Sequence, residues 1–389
     1  LASLGMTSTG QSTANAGSVI LTGSGDLVST KGLDAPAIVV QSIGGGGGWI
    51  GNVGGNATLG ATQIGSANAG SINTTINYKT IQTLGKNSTG ILAQSIAGGG
   101  GFTGSTKGNL LYLGGTIASE STSNSGNVTL TNNATIITSA GIDNTSGINS
   151  AAIIAQSIGG GGGASATSKG DTIRLGSIST ATKSGSLPTI TTGNVLVNNT
   201  GILSTSAVGS AGLLAQSIAG GGGYVSQTGD YQEYEISFGS TGAINAKAGT
   251  VNVNNTGAQI ATSANFSPAL VAQSIGGGGG FSLLTASGNG TTQIGSQDNS
   301  GSANSGEVNV TVKSLLQTLG EYSTALTAQS IGGGGGYTGS ALGNAIFGAL
   351  DVSGSLNSGN VITNFAGNIV TTGNNSSALV IQTIAGGGG

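Results

Sequence analysis

The sequence has no cysteine and no histidine among 389 residues, only three prolines, and charged residues at 5%. The missing cysteine removes disulfide and thiolate chemistry. The missing histidine removes the commonest general base and metal ligand. Charge lies far below the roughly 25% of an ordinary soluble domain, which leaves Ser, Thr, Asn and Gly to cover the surface. A net charge of −3 provides no basic field to hold nucleic acid. No apolar run approaches the roughly 20 residues of a membrane-spanning helix. No signal peptide opens at Leu1, and the glycine run ending at Gly389 is completed in other copies. The expectation is a fragment of a longer protein whose targeting signals and anchor lie elsewhere. Abundant Ile, Val and Leu argue against ordinary disorder.

What the sequence does have is glycine, 78 residues of it, and repetition. One motif recurs seven times: a small residue, two aliphatics, Ala, Gln, Ser, Ile, then glycines. Its glutamines are Gln41, Gln94, Gln156, Gln216, Gln273, Gln329 and Gln382, at spacings of 53 to 62 residues. Its isoleucines are Ile43, Ile96, Ile158, Ile218, Ile275, Ile331 and Ile384. Upstream of each lies an anchor glycine followed by a short alternating strand: Gly17, Gly70, Gly126, Gly193, Gly249, Gly306 and Gly359. Anchor and glutamine are 23 or 24 residues apart in six copies and 30 in the third, where residues 143–150 read as a loop insertion. Constant spacing inside the block means a fixed path, and variable spacing outside it means loops, as in a solenoid.

Residues 193–218 show the local pattern. Val195 and Val197 alternate with Asn194 and Leu196, residues 198–201 signal a turn, 202–206 a second strand, 210–212 another turn, and 213–218 a third strand. β-Branched residues are common and helix formers scarce. The predicted fold is all-β: a right-handed parallel β-helix or β-solenoid of about seven tandem repeats of 53–62 residues. It forms one repetitive domain over 1–389, with repeats near 17–69, 70–125, 126–192, 193–248, 249–305, 306–358 and 359–389. The block reads as one coil. A second half-repeat follows each glycine run, opening with Trp49, Phe102, Tyr224, Phe281 or Tyr337, with Ala164 the exception. It often reaches an aliphatic-Gly-Ser or aliphatic-Gly-Gly corner, at Ile64, Leu113, Leu175, Phe238 and Ile294. This half is expected to form a second coil, with three shorter coils per repeat as the alternative. At about 4.8 Å per coil the rod would be roughly 65 Å or 95 Å long.

Alternation places Leu270, Ala272 and Ser274 on one face of the signature strand and Val271, Gln273 and Ile275 on the other. Both faces are largely apolar, so both should be covered, the second by the other half-repeat or by a neighbouring molecule. Pro36 and Pro268 each sit five residues before a glutamine and mark the strand's start. The glutamines read as an amide ladder or as bonds to the adjacent turn; a ligand-binding row is the functional alternative.

The glycine runs begin near Gly44, Gly98, Gly159, Gly220, Gly276, Gly332 and Gly386. Each glycine costs roughly 0.5–1 kcal/mol relative to alanine in a regular element, so unusual backbone angles or very close approach must require it. Close approach by another layer is the expectation, and a disordered hinge the plain alternative. Together with the aromatics at the start of the second half-repeat, the runs are the candidate packing residues.

Signatures of catalysis are missing. No glycine run is followed by the Lys-Ser or Lys-Thr of a phosphate loop, and none carries the aspartate of calcium-binding glycine-rich repeats. Glu233 and Glu235 could form a glycosidase pair, but a solvated strand face explains them as well; Asp143 and Asp171 are isolated in loops. No catalytic, cofactor or metal residue is assigned, and the chain reads as a non-enzyme.

The Ala-Gln-Ser-Ile string with its glycine run, as at residues 272–280, and the Gly-Asn-Val and Asn-Asn-Thr-Gly segments at 193–195 and 198–201 resemble the passenger regions of large bacterial autotransporters. The resemblance covers essentially the whole chain. It implies an exported β-solenoid displayed outside a Gram-negative cell through a C-terminal barrel, with no shared catalytic residue; no barrel segment appears here. The expected role is a structural or adhesive surface segment that self-associates into filaments or bundles by lateral or end-to-end packing, with other cell surfaces or glycans as further partners. A glycan-, surface- or ice-binding module using polar Thr/Asn rows is the alternative.

Overall fold

The computed structural model describes residues 2–5, 12–62, 64–139, 149–168, 172–181, 186–226, 228–283, 285–297, 301–339, 344–348 and 354–389, without the side chains of 12, 64, 167, 168, 228–234 and 285–289. The described residues are all-β, in five sheets whose strand pairs are all parallel. No described helix is long and apolar enough to cross a membrane. The insertion expected around 143–150 lies outside the described residues up to 148, as do Asp143 and Asp171.

The fifth repeat shows how composition makes these strands. Val251–Asn255 and Gln259–Thr262 form the anchor sheet. Val251, Val253 and Ile260 point inward and are fully buried, while Asn252 and Asn254 alternate outward. Asparagine closes this strand: in earlier repeats Asn132 and Asn199 Nδ2 donate to the carbonyls of Ala134 and Gly201 two residues on. Leu270–Ile275 is the signature strand, and Gly279–Ser282 the glycine sheet's strand. Thr285–Ile294 forms a back sheet and Ala303–Asn304 a side sheet.

Strands pair with their counterparts in the repeat before or after, interior ones mostly with both. Ile43, Ile96, Ile158, Ile218, Ile275, Ile331 and Ile384 are thereby aligned in one column. No two described strands of the same repeat pair with each other. One repeat is therefore one wide turn of the stack, not the two or three coils expected, and paired strands of adjacent repeats lie about 4.8 Å apart. The second half-repeat does not stack on the first. It turns back alongside it, because the signature strand has a second apolar face that must be buried.

The cores follow from that path. Leu270 and Ala272 face the anchor sheet and join Val251, Val253 and Ile260. Val271, on the opposite face, joins Phe281 and Leu283 of the glycine sheet and the turn beyond it. The glycine sheet's other face meets the back sheet, where Val225 packs with Leu175, Ile236 and Phe238. The signature strand is thus an interior layer. The alternation that placed its residues on two faces holds, and its second cover is the same chain.

Candidate functional site

The signature strand and the glycine corner after it form the most regular constellation in the molecule. Gln41 Nε2 donates to Gln94 Oε1 at 2.8 Å. The chain of amides continues through Gln156, Gln216, Gln273, Gln329 and Gln382, each bond 2.7 Å. The five interior glutamines are fully buried. An amide in a dry interior must use both its donor and its acceptor, and an in-register stack lets each copy serve the next. The glutamines bond to one another, not to the adjacent turn.

The hydroxyl residue after each glutamine, serine in six copies and Thr383 in the seventh, was not singled out in the sequence, yet it accounts for the near-constant spacing. Ser274 Oγ donates to the anchor carbonyl of Gly249 at 2.8 Å and accepts from the next coil's anchor, Gly306 N, at 2.8 Å. Ser42, Ser95 and Ser217 clamp their anchors in the same way. A direct bond between anchor and signature strand tolerates no change in the length between them unless the chain loops out. The anchor glycines are needed because a Cβ at Gly306 would lie 2.5 Å from the backbone oxygen of Gly249.

The glycine corner combines both reasons considered for it. Residues 277–280 have φ of +81°, +80°, +144° and +146°, and the other six copies repeat the pattern closely. A Cβ at Gly279 would lie 1.9 Å from the oxygen of Gly335 in the next coil, and one at Gly280 2.0 Å from that of Gly223 in the previous coil. Side chains here would run along the stack into neighbouring backbone. A Cβ at Gly278 would meet the Cα of Gly239, 2.5 Å away, in a second glycine column at the end of the back sheet. That column comes directly after Leu59, Leu113, Leu175, Phe238 and Ile294, which are in register. Ile64, assigned to this corner from sequence, instead pairs with Ile117 in the side sheet, and Leu59 takes its place.

Only the first position of each run lies outside the positive-φ pattern. It is Gly44, Gly159, Gly276 or Gly332 in four copies and Ala97, Ala219 or Ala385 in three. Gly98, Gly220 and Gly386 are accordingly second positions. In the interior coils the corners are buried. The close cover is this chain's own back sheet and neighbouring coils, which leaves those glycines no surface for a neighbouring molecule.

The aromatics form an interior column. Phe102, Tyr224 and Phe281 are at most 2% exposed, whereas Trp49, in the first coil, is 47% exposed. Tyr224 and Phe281 rings stack with centroids 6.0 Å apart, and Phe281 and Tyr337 at 4.9 Å. Ala164 keeps register between Phe102 and Tyr224. Tyr224 Oη donates to Gly209 O at 2.6 Å, and burial pushes the phenols of Tyr224 and Tyr337 above their usual range.

Beside this column runs a turn position with positive φ, another feature the sequence pattern did not single out. Asp34, Asn87, Asn149, Phe266, Tyr322 and Asn375 adopt φ between 51° and 62°, and Gly209 takes the same place at 70°. Its signal was the Asn and Asp enrichment of left-handed positions. Asn87 Nδ2 donates to Asp34 Oδ1 at 2.9 Å, and Ser105 Oγ donates to the same carboxylate at 3.0 Å. Burial holds the Asp34 carboxyl above its ordinary value, and these two bonds partly oppose the shift.

Compared with known proteins, the chain matches no family model, no curated protein and no solved structure. The chemistry of the site must therefore be read from its own geometry. Among the described residues, no group of three or more acidic, cysteine or histidine side chains is placed to hold a metal ion. Glu235 forms an ion pair with Arg174 at 3.7 Å; the side chain of its proposed partner Glu233 lies outside the described residues. What the signature strand and corner can do is hold coils in register. Their glutamine amides and clamp hydroxyls are spent on one another and on the anchors.

Proposed function

We propose that this chain is a structural or adhesive segment of an exported surface protein, a right-handed, closed β-solenoid that extends a filament along its axis. The carrying observation is the open-ended bonding of each coil. Backbone ladder, glutamine amide and serine clamp all present to the next coil what they receive from the previous one. Sideways packing has little to hold: among the described residues between the first and last repeats, the exposed large apolar residues are Ile137, Leu319 and Ile346 alone. Stacking contacts of this head-to-tail kind propagate without closing. The resemblance to autotransporter passengers supports display outside a Gram-negative cell.

The test is antibody labelling of intact producing cells combined with electron microscopy of the released material. The reading expects surface label and rods one solenoid wide. Label that appears only after permeabilisation, or side-by-side sheets with no axial rods, would refute it.

The alternative of a surface- or ice-binding face is supported by one outward row with a Thr or Asn in every coil: Thr22, Thr75, Thr131, Asn198, Asn254, Thr311 and Asn364. The adjacent row is mixed and includes Ile20, Leu196 and Ile362, so the regular strip is a single residue wide. Thermal hysteresis measurements decide this reading.

A further inference from the structure

The anchor glycines are flanked on both sides by polar ladders at the surface. One residue after the anchor, Ser71 N donates to Ser18 Oγ at 3.1 Å, Asn127 N to Ser71 Oγ at 3.2 Å, Asn194 N to Asn127 Oδ1 at 2.8 Å and Thr250 N to Asn194 Oδ1 at 2.8 Å. Two residues before it, Asn68 N donates to Asn15 Oδ1 at 3.0 Å, Asn124 N to Asn68 Oδ1 at 2.9 Å and Asn357 N to Asn304 Oδ1 at 2.9 Å. Neutral side chains in these two columns are thus spent on the next repeat. Two adjacent repeats break the pattern with charge. Lys247 stands two residues before Gly249 and Glu307 directly after Gly306, and each is the one charged residue among the seven of its column. A lysine cannot accept the bond that asparagine accepts in its place, so the stacking of repeats gives no reason for it. Both side chains are exposed and both line one groove of about 490 Å³, which also takes in Gly249, Gly306 and Gly359. Elsewhere the exposed Lys79 and Asp26 pair at 2.5 Å. Lys247 and Glu307 share a groove yet form neither an ion pair nor a side-chain hydrogen bond.

We propose that this groove binds a short zwitterionic peptide, its free carboxylate on Lys247 and its free ammonium on Glu307. The two charges stand on opposite sides of the glycine column, one before the anchor and one after it, and they cancel. A simple anion or cation would meet one favourable charge and one unfavourable charge there, whereas a ligand carrying both signs meets two favourable ones. The anchor glycines leave room between the charges because they carry no side chains. The volume lies in the range of small-ligand sites and corresponds to about sixteen waters, more than a single amino acid fills and enough for two or three residues. From Thr191 in the fourth repeat to Gly359 in the seventh, the groove spans three strand spacings; at about 4.8 Å each this is the reach of an extended peptide of that length. Thr191, Asn194 and Thr250 supply polar contacts along its length. The inference does not rest on the filament reading and stands if that reading fails.

The experiment follows the backbone amides of Gly249 and Gly306 by NMR in the intact chain. The probes are triglycine with both ends free, triglycine blocked at one end or the other, and triglycine blocked at both. Free triglycine should shift both resonances saturably. Blocking either end should weaken binding about fivefold, the upper worth of one exposed charge pair, and added salt should weaken it further. Lys247→Gln should lose about the same factor and become indifferent to blocking the carboxylate; Glu307→Gln should do likewise for the amine. Both side chains are exposed and without partners, so the melting temperature should not change and any loss of binding reports the groove. No saturable shift, equal affinity for the free and doubly blocked peptides, or full affinity in both variants would overturn the proposal.

Discussion

The two sides of the signature strand are held by opposite means. Toward the anchor sheet, side chains hold it: aliphatics fill the core, and each serine grips two anchor glycines. Toward the glycine and back sheets, the chain turns through four residues that have no side chains, so that backbone meets backbone. The first side keeps its length in six of the seven copies, because a hydrogen bond fixes the distance. The second varies in length, because the glycine corner needs only its own four residues to be right and the chain beyond it can loop out. A stack of parallel repeats can therefore be rigid on one side and tolerant on the other within a single repeat.

Substitutions separate the two mechanisms. The largest effect is expected for Gly279→Ala, which forces a Cβ onto the Gly335 oxygen at a φ that L-residues rarely adopt. It should destabilise by about 4 kcal/mol, and hydrogen exchange should show the coils on either side opening first. Gln273→Leu acts on the side-chain mechanism. It strips the acceptor from Gln216 Nε2 and the donor from Gln329 Oε1, with an expected cost of about 3 kcal/mol by urea denaturation. Ser274→Ala leaves Gly306 N–H without its partner and should cost about 2 kcal/mol in the same assay. Gly276→Ala is the sharpest contrast with Gly279, three residues away. Its φ is ordinary and Ala97, Ala219 and Ala385 occupy the same place, but a Cβ here would lie 2.5 Å from the Asn304 backbone, so a cost of about 2 kcal/mol is expected, below that of Gly279→Ala because no left-handed φ is imposed. If the two glycine variants are equally damaging, the division of the corner into one tolerant and four obligatory positions is wrong.

The smallest effect concerns pH. Asp34 has a folded-state pKa raised above its ordinary 3.8 by burial. The folded protein then holds this proton more tightly than the unfolded chain does. The resulting stability is full below 3.8 and is lost as pH rises through the folded value. Asp34→Asn introduces the residue already present at positions 87, 149 and 375 of the same column. It should flatten that part of the stability curve and leave the protein at least as stable at pH 7; denaturation at pH 3, 5 and 7 reads this directly.

Much of this was legible in the sequence, and the reason differs from part to part. The column of isoleucines comes from the repeat, since a parallel stack in register is what identical strands one period apart form. The glutamine ladder was one of two structural readings, and burial chose between them: a fully interior strand brings the amides together away from any turn. The serine clamp was hidden because serine is common throughout the chain, and only its bond to the anchor gives it meaning. Ile64 was misplaced because an aliphatic precedes a glycine twice in that repeat, at Leu59-Gly60-Ala61 and Ile64-Gly65-Ser66, and the Gly-Ser match favoured the wrong one.

The sequence by itself determined the strand type, the repeat, the register and the need for glycine at the corner. These are local matters: alternation, β-branching, and positions where no Cβ is tolerated recur visibly at each period. Only the tertiary structure decided that a repeat is one coil and not two. That choice depends on which surface covers the second apolar face of the signature strand, and pattern alone is the same whether the second half-repeat stacks above the first or folds back beside it. Burial favours the fold-back path, because stacking would have left Val271, Gln273 and Ile275 in water.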